Sequence, residues 1–227
     1  MLQGKAFLVT GAGGALARAV IPALHRGGAR LFLSDPRGER MAERAKEYGA
    51  QTFVADLTRL EEAEALARFV EGQTPLFGVV HTVGGFAAGR FLDSDPGLYD
   101  WLLDLNLRTT FNLLRATLPY MEARREGFFA AIAAGTAWTG SGPGRALYTV
   151  AKTALASLLR SLQGEVEGVR FLILYPMGTL DTEANRKAMP EADPSRWITP
   201  ELLAEALLLA ATARGGRLLE LPIYPPI

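Results

Sequence analysis

The chain has 227 residues, as many basic as acidic side chains, and a formal net charge of zero. That length favours one α/β domain, and an apolar content of 49% is enough to build a sizeable core. Without a basic excess to neutralise phosphates, nucleic acids and membrane surfaces are poor partners, and a small molecule is the expected one. Cysteine is absent, which excludes a disulfide framework and a cysteine-ligated metal, and no metal site is expected. The first ten residues hold one lysine and a short apolar run, unlike a signal peptide. No apolar run approaches the ~20 residues of a membrane helix, so the expected location is cytoplasmic. Of the 24 basic residues only four are lysine: Lys5, Lys46, Lys152 and Lys187.

Short apolar runs alternate with longer amphipathic ones. In chain order the pattern predicts a strand over 6–9, a helix over 15–26, a strand over 30–33, a helix over 37–48, and a strand over 52–54. A helix over 60–70, a strand over 76–81, one long helix over 98–124 and a strand over 128–133 follow. The series ends with a helix over 145–167, a strand over 169–174, a helix over 199–212 and a strand over 217–221. Gly27-Gly28 closes the first helix, and Thr199-Pro200 opens the last as N-cap and first-turn proline. The strands are apolar on both faces and each is joined to the next by a crossover-length segment. This is the pattern of a doubly wound α/β Rossmann fold, a parallel seven-stranded sheet with helices on both faces. One domain is expected over 1–227. Its one long irregular segment, 176–198, is rich in Pro, Asp and charge, and reads as a lid or binding loop.

The first strand runs into Gly11-Ala12-Gly13-Gly14-Ala15-Leu16. Glycines there let backbone N–H groups approach a pyrophosphate at a helix N-terminus. Leu16 stands where a strict G-x-G-x-x-G has its third glycine, so the turn alone is weak evidence. Asp35, at the end of the second strand, suits the adenosine ribose hydroxyls and repels a 2′-phosphate. NAD(H) is therefore the preferred cofactor, with NADP(H) left open because Arg37 lies close by. The bland alternative makes Asp35 a cap of the next helix. Asp56-Leu57 and the 81–85 segment lie at strand carboxyl ends, where open α/β sheets bind ligands. His81 reads as a histidine that merely closes a strand, and His25 as a surface helix residue.

Tyr148 and Lys152 are spaced i, i+4 and so share one helix face. A nearby ammonium favours the phenolate and brings a tyrosine toward a working acid–base pKa. On spacing alone the pair could equally be a solvated face. Together with the glycine turn, Asp35, Asp56-Leu57, Val83-Gly84, Asn106 and Pro143-Gly144, however, it resembles the short-chain dehydrogenase/reductase family over essentially the whole chain. The resemblance implies that Tyr148 donates a proton to a carbonyl or imine and that Lys152 tunes it and holds the cofactor ribose. It further implies that Asn106 supports a water-linked relay, and that the cofactor meets Gly11, Gly13, Gly14, Ala15, Leu16, Asp35, Asp56, Leu57, Val83, Gly84 and Pro176. It also implies a homodimer or homotetramer.

Two departures stand out. Gly135 replaces the family's usual serine, with Thr136 and Ser141 as neighbouring substitutes, and alanines replace glycines at 15 and 17. Within the family, the quinonoid dihydropteridine reductases are similar in lacking that serine. They are also similar at Gly14-Ala15-Leu16, at 84–89, and along 179–197. In the last run Arg186 and Lys187 are candidates to meet a polar substrate, and Met189 and Trp197 to cover a ring; an ion-pair network that pins the loop is the even alternative. The expected function is NAD(H)-dependent hydride transfer to C=O or C=N, dihydropteridine reductase-like in its sharpest form. Alcohol, sugar or 3-oxoacyl chemistry is the alternative within the family, and a non-catalytic NAD(H)-binding sensor the alternative outside it.

Overall fold

The computed structural model describes residues 2–213 and 215–226. Seven parallel strands form one sheet in the order β3-β2-β1-β4-β5-β6-β7. They are β1 (Ala6–Thr10), β2 (Arg30–Ser34), β3 (Gln51–Phe53), β4 (Leu76–His81), β5 (Gly127–Ile132), β6 (Val169–Pro176) and β7 (Leu218–Ile223). The doubly wound expectation holds, and the order reverses between β1 and β4, which opens a crevice at their carboxyl ends.

Alternation along the strands builds two cores. Phe7, Val9, Leu33, Phe128 and Leu172 face one way, toward α1 (Ala17–Arg26), α2 (Glu39–Tyr48) and α9 (Pro200–Thr212). Leu8, Phe32, Val79, Phe129 and Phe171 face the other, toward α3 (Leu60–Glu71), α5 (Thr109–Arg124) and α7 (Ala146–Glu165). The five inner strands hide both faces, which is why their sequences are apolar without a polar stripe, whereas the edge strands β3 and β7 are only partly buried. Thr199 caps α9 by accepting from the Leu202 N–H at 3.3 Å, and Gly28 takes φ +86° beyond α1, as their residue types suggested.

Two predicted details change, and one bland alternative falls away. The helix expected over 98–124 is divided into α4 (Pro96–Leu103), a π-helical turn (Asp104–Arg108) and α5. The widened turn surrounds Asn106, and such turns gather at functional sites. Asp35 does not cap α2, which starts at Glu39 behind Gly38. The segment expected as a structureless lid contains a short helix, α8 (Glu183–Ala188), and is tied at both ends by a bridge between Leu180 and Ile198. Another short helix, α6 (Gly135–Thr139), follows β5. No helix among the described residues is long and apolar enough to cross a membrane.

Candidate active site

The carboxyl ends of β4, β5 and β6 frame a cleft of about 860 Å³. Its walls include Leu16, Val83, Gly84, Thr136, Tyr148, Lys152 and Pro176 from the sequence-derived set. Phe86, Arg145 and Met177 line it too, as do Thr179, Leu180, Asn185 and Met189 of the lid, and of these only Met189 was singled out from the sequence.

Tyr148 and Lys152 sit on one face of α7, as i, i+4 spacing requires. The Phe86 ring meets the Tyr148 ring edge-on at 5.0 Å and fixes its orientation. Burial pushes the Tyr148 phenol up to about 12, against a downward pull from Arg145. Burial likewise pushes Lys152 down to about 8. This departs from the expectation that Lys152 lowers the phenol. The Lys152 ammonium donates to the Ile132 carbonyl at 2.7 Å, and the cation acting on Tyr148 is Arg145. Gly84 leaves room for this packing, because a Cβ there would lie 3.1 Å from Lys152 Nζ and 2.9 Å from Asn106 Oδ1.

Asn106 is fully buried. Its Oδ1 accepts from the Gly85 N–H at 3.2 Å, and its Nδ2 donates to the Gly85 and Leu102 carbonyls at 3.0 and 2.9 Å. It thus clamps the loop after β4 to the π-helical turn. Its own carbonyl accepts from Thr110 Oγ1 at 3.0 Å. His81 is also accounted for. Thr109 Oγ1 donates to the Leu105 carbonyl at 2.8 Å, so it accepts from His81 Nε2–H at 3.2 Å, and Thr10 Oγ1 donates to Nδ1 at 2.7 Å. Burial, helped by Lys152, drives His81 down to about 3. It is a neutral structural histidine, as the sequence suggested.

The serine position explains itself by space. A Cβ on Gly135 would meet the Pro176 carbonyl at 3.0 Å and Met177 Cα at 3.1 Å, so the loop after β6 occupies the place of a side chain. Of the two substitutes, Thr136 lines the cleft and its buried Oγ1 has no partner among the described residues. Ser141 does not: it is exposed outside the cleft walls, and its carbonyl accepts from Thr139 Oγ1 at 3.1 Å.

Other candidates stand outside these walls. Asp56 is exposed and closes a turn by accepting from Thr58 N–H and Oγ1 at 3.0 and 2.8 Å. Leu57 is buried, and its carbonyl ties α3's approach to Asn112 at 2.9 Å. Arg186 is occupied by a bidentate pair with Asp181, at 2.6 and 2.8 Å. Lys187 pairs with Glu183 at 2.7 Å. Trp197 is buried rather than poised over the cleft. The lid residues proposed to meet a substrate are, apart from Met189, the ones that pin the loop.

At the other end the residues fit a dinucleotide. Gly11, at φ +70°, packs so closely on the loop after β4 that a Cβ would lie 2.9 Å from Thr82 Oγ1. Gly14 N–H turns back to the Gly11 carbonyl at 2.8 Å, whereas the N–H groups of Ala15 and Leu16 have no partner among the described residues. That leaves donors at the start of α1 for an anion. Asp35, buried at β2's end, accepts from the Gly13 and Arg37 N–H groups at 3.1 and 3.0 Å. Arg44 reaches from α2 to the Ala12 and Gly14 carbonyls. No group of three or more side chains among the described residues is arranged to hold a metal.

The family model described as short chain dehydrogenase matches residues 5–193. The chain belongs to the short-chain dehydrogenase family. It is on that ground an oxidoreductase. Relatives include a dehydrogenase/reductase SDR family member 6 from Danio rerio, 27% identical over 82% of this chain and 75% of its own. Oxidoreductase UcpA from Escherichia coli is 29% identical over 77% of this chain and 69% of its own. A solved short chain dehydrogenase/reductase family protein superposes with a TM-score of 0.85 at 27% identity, covering 97% of each chain.

Proposed function

We propose that this oxidoreductase uses a nicotinamide cofactor, NAD(H) in preference to NADP(H), to interconvert a carbonyl and a hydroxyl group, with Tyr148 as the proton donor. The observation that carries the reading is the pairing, in one cleft, of Tyr148 with the unpartnered buried hydroxyl of Thr136. A buried hydroxyl without a partner is costly unless a ligand supplies one. Thr136 would donate to the substrate oxygen, the role left vacant at Gly135, while Tyr148 protonates that oxygen. The bound cofactor would supply the hydride. Leu16, Val83, Gly84 and Pro176 would wall its nicotinamide half, and Lys152 would swing from the Ile132 carbonyl to a ribose hydroxyl. Asn106 would hold the Gly84–Gly85 turn against it, and the water-linked relay belongs to the same proposal.

NAD(H) is preferred because Asp35 places a carboxylate beside the expected adenosine ribose. The Arg37 guanidinium, 4.0 Å from that carboxylate, keeps NADP(H) in the test. The dihydropteridine reductase-like form draws on the absent serine and on the 179–197 run, but Arg186 and Trp197 give it no contact in the cleft. Thr136 favours carbonyl chemistry over it. A homodimer or homotetramer is supported by Tyr99, Trp101 and Phe111, which α4 and α5 leave exposed; sedimentation velocity tests it. Steady-state oxidation of NADH, with NADPH in parallel, against quinonoid dihydropterin and a ketone panel tests the chemistry. Turnover of ketones is the expected outcome. Turnover of pterin alone moves the assignment to dihydropteridine reduction, and binding without any turnover leaves a sensor.

A further inference from the structure

Among the described residues the cleft walls carry two charged side chains, Arg145 and Lys152, both cations, and no carboxylate. Lys152 is buried and committed to the Ile132 carbonyl. Arg145 is exposed at the rim and forms no ion pair or side-chain hydrogen bond among the described residues. Arg108, Arg124, Arg160 and Arg186 each hold a carboxylate, and of the arginines that form no ion pair among the described residues, Arg145 is the one that lines the cleft. The Arg145 backbone is fixed, its N–H donating to the Gly142 carbonyl at 2.9 Å and its own carbonyl accepting from the Thr149 N–H at 2.8 Å.

Its position matters as much as its freedom. Arg145 is the N-cap residue of α7, three positions before Tyr148, and both side chains line the cleft; its charge already draws the phenol pKa downward. It also lines an adjoining recess of about 220 Å³ together with Arg90 and Asp93, and Asp93 pairs with neither arginine. A guanidinium is a planar fork that matches a carboxylate with two parallel hydrogen bonds.

Building on the carbonyl reading above, we propose that the substrate is a short oxo acid or hydroxy acid, held by its carboxylate at Arg145 while its carbonyl or carbinol carbon faces Tyr148 and Thr136. Only two residues separate Arg145 from Tyr148 and both line one cleft, which suits an acid with only a few carbons between the two groups. In reduction the carbonyl carbon gains a hydride, supplied by the reduced nicotinamide, and its oxygen gains the Tyr148 proton. The carboxylate is unchanged, and the products are the hydroxy acid and oxidised nicotinamide.

The test compares kcat/KM for short 2-oxo and 3-oxo acids with that for their methyl esters, in wild type and in Arg145→Gln. Acid and ester share Tyr148, so any effect of the lost charge on the phenol cancels in their ratio. The wild type should favour acids by about 10- to 100-fold, the worth of a charged hydrogen-bonded pair. Arg145→Gln should bring the ratio near one, and Arg145→Lys should restore part of it. Titration of the hydroxy acid into the protein with oxidised cofactor, followed by tryptophan fluorescence, should show the same loss of affinity in Arg145→Gln. Equal ratios in wild type and Arg145→Gln overturn the proposal. Reduction of neutral ketones with acids refused overturns the acid preference alone, whereas failure of every carbonyl acceptor overturns the underlying carbonyl reading too.

Discussion

The catalytic wall and the lid handle polar side chains in opposite ways. On the wall, Thr136 Oγ1 is buried without a partner among the described residues, and Tyr148 and Lys152 are held where burial works against their charged forms. In the lid, Asp181, Arg186, Glu183 and Lys187 satisfy one another, and Asn185 Nδ2 donates to the Leu180 carbonyl at 2.8 Å. A region whose polar groups are satisfied internally is built to keep its shape. A region that leaves groups unsatisfied is built to receive something. Resemblance along 179–197 therefore reports loop architecture more than ligand contact.

Substitutions can sharpen or break that contrast. Lys152→Met should have the largest effect, a fall in kcat/KM of about 100-fold or more in steady-state assays, because the cofactor ribose loses its anchor and the nicotinamide its position. Thr136→Val should lower kcat/KM on ketones by about 10- to 100-fold, the cost of a lost donor to the reacting oxygen, while the melting temperature holds because no protein bond is lost. A lowered melting temperature with unchanged turnover would make Thr136 structural. Gly135→Ser, which restores the family residue, should destabilise by about 1–3 kcal/mol through overpacking against Pro176 and Met177, measurable by urea unfolding. Arg186→Gln should matter least: its exposed pair predicts kcat/KM within about twofold of wild type, and a large loss would return the lid to the substrate.

Stability against pH checks the burial argument. His81 falls from 6.5 to about 3 on folding, so between those values the unfolded chain binds the extra proton and stability declines with acid. Lys152 falls from 10.5 to about 8, so stability should climb as pH rises above about 8. Above about 10 the trend should bend back, because Tyr148 and Tyr175, both pushed up to about 12, keep protons that the unfolded chain releases. Melting temperatures across this range test the three slopes.

The sheet was legible because its inner strands, buried on two faces, announce themselves as apolar runs between amphipathic segments. Tyr148 and Lys152 share the helix face that their spacing requires, but spacing alone left a solvated face open, and only the family resemblance gave the pair a role. The π-helical turn was not, because only the Gly85 backbone, which Asn106 clamps, gives that residue its reason. Arg145 was read only as the residue opening a helix, since a cation without a partner is visible only once every carboxylate has been placed. Trp197 misled for the converse reason: an aromatic in a polar loop reads equally as a ring cover or as a buried anchor.

The most direct measurement is single-turnover oxidation of preformed protein–NADH complex on mixing with a carbonyl acceptor, in wild type and Tyr148→Phe. The account predicts that both bind NADH with similar affinity, and that loss of reduced-nicotinamide absorbance is slower by about 100- to 10,000-fold in the variant. Equal rates in the two proteins would contradict it, because the proton would then come from somewhere other than Tyr148.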